Sequence, residues 1–175
     1  MNQTSYTGVR RILTLILGET GIFGIDIHVV REILDYTDIT RLPRMPENMR
    51  GVVDVRGHAV PVIDLGLKLG FGPVNQTLNT RIVIVEQPDP DGGVRLVGAL
   101  TEAVKEVLEL DTEAIAPPPT MGTDVDQACI QGMGRHNGRF IILLDTARVF
   151  SDEDLVGVAG LTQQAAAQAA ASHAA

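Results

Sequence analysis

Tryptophan is absent from the 175 residues, which include only two tyrosines and four phenylalanines. An aromatic binding surface is therefore not available, and a core must be built from Ile, Val and Leu, side chains that suit strands. The single cysteine, Cys129, has no internal disulfide partner and reads as a small buried apolar residue of a reducing compartment. Positive charge is scarce, with 14 Lys and Arg against 22 Asp and Glu for a formal charge of −8. That balance argues against nucleic acid and against membrane surfaces, both of which attract basic faces. Long apolar runs are missing too. The segment ILTLIL (12–17) follows Arg10 and Arg11 like a targeting signal, but Gly18 and Glu19 end it well short of a signal core or a membrane span. The expectation is a soluble, cytoplasmic chain.

What is present suffices for a core, since 45% of residues are apolar and a chain of this size buries roughly 70% of the surface it exposes when unfolded. Short apolar runs separated by turn residues dominate: 12–17, 22–27, 52–56, 59–65, 82–85, 94–100, 128–133 and 140–144. Their length and β-branched content predict strands, with hairpin turns at Gly57, at PDPDGG (88–93) and at HNG (136–138). Helical spacing is brief. It occurs at HVVREIL (28–34), before Gly70 and from Asp145 onward, where Ser151 and Asp154 suggest a capping box. Pro61 points to an edge strand or a bulge because it cannot donate to a ladder. The fold class is mostly β with a few short helices. Residues 1–11 are expected to be flexible, and 157–175, rich in Ala and Gln and without charge, to form a disordered tail.

An internal repeat organises the rest. Gly51, Gly57 and Asp64 recur at identical spacing as Gly132, Gly138 and Asp145; Gly24, Val30, Glu32 and Pro43 recur as Gly98, Val104, Glu106 and Pro117. Copy one spans about 12–70 and copy two about 82–150, each with about five short strands, which suggests two small barrels. Exchange of strands or termini between them is left open. The charge divides unevenly, with nine basic and eight acidic groups in 1–81 against five and fourteen in 82–175.

Catalytic patterns are few. His28, His58, His136 and His173 are scattered without metal-ligand spacing, and the glycines at 18, 21 and 24 or at 70 and 72 lack the context of a phosphate loop. No enzyme, cofactor or metal is expected. Two features stand out instead: an apolar stripe, Val29, Val30, Ile33 and Leu34, and Arg56 at a turn, placed to pair with an acid such as Glu32.

The segments GIDIHVVREIL (24–34), MRGVVDVRGHAVPVIDL (49–65), NTRIVIV (79–85), VKEVLEL (104–110), the APPP turn (116–119) and GRFIILLD (138–145) together resemble the CheW family of chemotaxis coupling proteins over about 12–156. The resemblance implies two packed SH3-like five-stranded β-barrels and a non-catalytic adaptor. Such an adaptor links methyl-accepting chemoreceptors to the histidine kinase CheA in cytoplasmic arrays. It implies a groove between the barrels that receives the receptor tip, and a barrel end that packs on the kinase's regulatory domain. The residues it designates for partner binding are Val30, Glu32, Ile33, Gly51, Arg56, Val104 and Val107. Departures from the family pattern fall at Asp54, where Asn is usual, and at Thr101 and Glu102.

Overall fold

The computed structural model describes residues 8–19, 21–118 and 127–151. Its strands are β1 (Val9–Leu17), β2 (Gly21–Asp26), β3 (Val30–Asp35), β4 (Met49–Val55), β5 (His58–Asp64), β6 (Arg81–Pro88), β7 (Val94–Thr101), β8 (Ala103–Asp111), β9 (Ile130–His136) and β10 (Arg139–Leu144). Two one-turn helices, α1 (Leu65–Lys68) and α2 (Thr146–Val149), follow β5 and β10. The chain is mostly β, and its strands form two five-stranded sheets ordered β8-β1-β2-β10-β9 and β3-β6-β7-β5-β4. These are called sheet A and sheet B below.

The two orders correspond strand for strand, as a repeat requires, yet the division between sheets is not the division between copies. β1 and β2 of copy one pair with β8, β9 and β10 of copy two, while β3, β4 and β5 join β6 and β7. The chain crosses from sheet A to sheet B through a 3₁₀ turn at Ile27–Val29 and returns at Glu102. The joins are parallel, β10 on β2 and β5 on β7.

Both sheets curl until their edges approach. A Cβ at Gly134 of β9 would lie 2.7 Å from Leu110 of β8, and the segment after β8 bridges to β9 at Ala116 and Met133. In sheet B the matching bridge joins Thr40 to Val52. The repeated glycines follow from this crowding: a Cβ would meet Ile12 at 2.3 Å from Gly24 and Ile82 at 3.0 Å from Gly98. Ile12, Leu108, Leu110, Ile141 and Leu143 fill the curl of sheet A. The larger cluster runs between the sheets and takes Leu13, Leu15, Phe23 and Ile25 from sheet A with Val83, Val85, Val97 and Ala99 from sheet B. Buried Thr101 adds a polar tie by donating to the Ile16 carbonyl at 2.9 Å.

The structure corrects three sequence expectations. Residues 30–35 are not helical but form β3, and β1 already starts at Val9, inside the segment expected to be loose. Pro61 lies in β5, an interior strand between β7 and β4, so the edge alternative fails, while a bulge does interrupt β4 between Met49 and Gly51, one pair away from Pro61. The proline is tolerated because Val52, opposite it, turns both its N–H and C=O to Thr40, and because the β7 ladder begins only at Val62. The short helices begin where Asp64 and Asp145 predict. Asp64 is fully buried, accepts from the Leu67 and Val74 amides and pairs with Arg50 at 2.7 Å. Asp154, His173 and the Ala/Gln tail lie outside the described residues.

Candidate functional site

Chemistry offers little at any single point. Among the described residues no group of three His, Cys, Asp or Glu could hold a metal ion, and no helix is long and apolar enough to cross a membrane. His28 and His58 are exposed, whereas His136 is half-buried. Cys129 is buried. A shallow pocket opens at the end of sheet A, with Ile22, Leu108 and Ile141 as its floor and Lys105, Glu106, His136, Asn137 and Arg139 around it.

The more informative geometry lies on β3 and β8, the outer strands that correspond between the sheets. Each carries a bulge next to its first residues. On β3, Val30 faces Val85, Glu32 faces Ile84 and Ile33 faces Val83, so one extra residue is inserted at Arg31. Val30 and Ile33, three apart, thereby point to the same face, the one shared with core residues Val83 and Val85. On β8, Val104 faces Leu15 and Val107 faces Leu13, again with an extra residue between them. Thr14 secures that bulge: its hydroxyl donates to the Glu106 carbonyl at 2.7 Å and accepts from the Glu106 amide at 3.0 Å.

The consequence is the same in both sheets. Val30 and Val104 are half-buried against the main core, while Ile33 (43% exposed) and Val107 (50%) extend the same apolar face into solvent. The spacing that reads as helical in the sequence is the signature of a bulge, which shifts the strand alternation by one residue.

Glu32 points to the opposite face of β3 and there meets Arg56, 3.3 Å away. The pair draws together the outer strand β3 and the β4–β5 turn. With Arg56 81% exposed, it contributes no more than about 1 kcal/mol to stability. Gly51 is not part of this group. It is buried in β4, and a Cβ there would lie 2.2 Å from the Thr40 carbonyl oxygen, so its role is to let that bridge form.

Arg56 and Gly57 make the two-residue turn of this hairpin with φ of 52° and 85°, both left-handed, as a type I′ turn requires. A non-glycine side chain in that region costs about 1–2 kcal/mol. The corresponding turn of sheet A, Asn137 and Gly138 with φ of 50° and 76°, has the sequence such turns favour. Sheet B keeps arginine instead, and Asp54 accepts from the Gly57 amide at 2.8 Å. Sequence reasoning noticed Asp54 only as a departure; the signal it missed is an aspartate three residues before the glycine of a turn, an ordinary side-chain brace.

Comparison with known proteins adds context to this geometry. Residues 11–154 match the family model described as a CheW-like domain. The chemotaxis protein CheW of Klebsiella aerogenes is 33% identical over 133 residues, covering 76% of this chain and 77% of that protein. A probable chemotaxis protein CheW of Rhizobium etli is 31% identical over 147 residues, covering 84% and 91%. The crystal structure of the scaffolding protein TtCheW from Thermoanaerobacter tengcongensis superposes with a TM-score of 0.73 at 28% identity, over 88% of this chain and 96% of that one.

Proposed function

The chain belongs to the CheW-like family of chemotaxis scaffold proteins, and from that premise we propose that it couples the cytoplasmic tips of chemoreceptors to the histidine kinase CheA. It is a non-catalytic adaptor, working in the cytoplasm at membrane-associated receptor arrays. The apolar faces of β3 and β8, with Val30, Ile33, Val104 and Val107, supply anchors for an amphipathic partner helix, and Glu32 and Arg56 supply rim charges that set orientation. The kinase's regulatory domain packs against the end of a sheet. Each contact can be modest, because an array raises the effective concentration of every partner.

The observation that carries this reading is Arg56 itself. An exposed arginine is kept in a left-handed turn whose internal counterpart is Asn137, although the arginine gains little stability there. A residue placed at such a cost points to a use outside the fold. Arg56→Glu should leave a folded protein by circular dichroism, with melting lowered by no more than about 2–4 °C, and weaken binding to a receptor-tip fragment or a CheA regulatory domain at least tenfold, about 1.4 kcal/mol. Unchanged affinity for both partners would remove Arg56 from the site.

A further inference from the structure

The β4–β5 turn contains its own explanation for how Arg56 is held out. Two hairpins of one chain make the same left-handed turn by different means. In sheet A the pair Asn137–Gly138 closes the turn, and the residue matching Asp54 is Arg135, which stacks on the Phe140 ring with 4.9 Å from its guanidinium carbon to the ring centroid. Nothing at that position braces the Gly138 amide in the way Asp54 braces Gly57. In sheet B the turn carries arginine, a poor left-handed residue, and here, alone of the two hairpins among the described residues, a carboxylate accepts the glycine amide, at 2.8 Å. The brace accompanies the residue that needs it.

We propose that Asp54 is a positioning residue for Arg56: its hydrogen bond to the Gly57 amide holds the turn in the left-handed conformation that presents the guanidinium to a partner. This rests on the adaptor reading above for what Arg56 does, but the positioning itself can be read without any partner. In the free protein, Asp54→Ala should speed exchange of the Gly57 amide at least tenfold and move the Arg56 Cα chemical shift away from its left-handed value, while Asp54→Asn, which keeps an acceptor oxygen, should restore both. In titrations with a purified CheA regulatory domain and a receptor-tip fragment, Asp54→Ala should weaken binding about fivefold and Asp54→Asn should bind as well as wild type. In an Arg56→Ala background the Asp54→Ala change should add no further loss. Unchanged Gly57 and Arg56 signals in Asp54→Ala would overturn the proposal. So would a binding loss that persists in Asp54→Asn or is equally large without Arg56. Should wild-type protein bind neither partner, the adaptor reading fails, and the Gly57 and Arg56 signals still decide whether Asp54 holds the turn.

Discussion

Individual side chains here separate into those that hold the fold and those that the fold holds out. Arg56 is of the second kind, so Arg56→Asn, which copies the turn of sheet A, should leave melting temperature unchanged or raised and still weaken partner binding about tenfold. Differential scanning calorimetry beside a binding titration checks both halves. Asp64 and Asp145 make the opposite comparison. They match in the repeat and start matching helices, but Asp64 is buried with Arg50 and two amides while Asp145 makes no capping bond and sits 3.7 Å from Arg148 near the surface. Asp64→Ala should cost about 1–3 kcal/mol, since it leaves the buried Val74 amide without its acceptor. Asp145→Ala should cost less than about 1 kcal/mol, and urea unfolding of the two variants measures the contrast.

At the scale of elements, the eight apolar runs named from the sequence each fall on a strand, and the two strands not recognised, β3 and β8, are counterparts in the repeat. The reason is physical. Each is an outer strand with a bulge, so its apolar residues fall at i and i+3, the spacing that otherwise belongs to a helix. Pairing with β6 and β1 decides between the two conformations, and that pairing is remote in sequence. Thr14 shows how the bulge in β8 is maintained. Thr14→Val should remove both hydrogen bonds to Glu106, costing about 1–3 kcal/mol, and should speed exchange of the Glu106 amide before the rest of the sheet opens. Hydrogen exchange followed by NMR distinguishes that local loss from uniform destabilisation.

Considered whole, the molecule shares its main core between two sheets, and each sheet draws on both copies. Sheet B is contiguous, from β3 to β7, so a fragment of residues 27–101 holds all of its strands. That fragment should nevertheless lack a cooperative melting transition, because Val83, Val85, Val97 and Ala99 would lose the sheet A residues that cover them. A sharp transition of the fragment alone would mean that the shared core is dispensable. The charge asymmetry between sequence halves also changes once strands are grouped by sheet. Over the same residues, 9–101 and 103–144, a division at residue 81 gives +1 and −5, whereas 30–101 carry eight basic and nine acidic groups and 9–26 with 103–144 carry five and eight, so the contrast narrows to −1 and −3. By itself the sequence determined the β class, the repeat and the turns at Gly57 and Gly138, because each is written in local spacing or in a match between copies, and it offered Glu32 as one acid that Arg56 could reach. Only the tertiary structure decided which strands share a sheet, that Leu34 leaves the face Val30 and Ile33 share and turns to the side of Ile82, that Gly51 serves packing, that Asp54 braces a turn and that Arg56 finds Glu32. Those outcomes depend on strand partners tens of residues away, and on a one-residue bulge that reverses which face each later side chain takes.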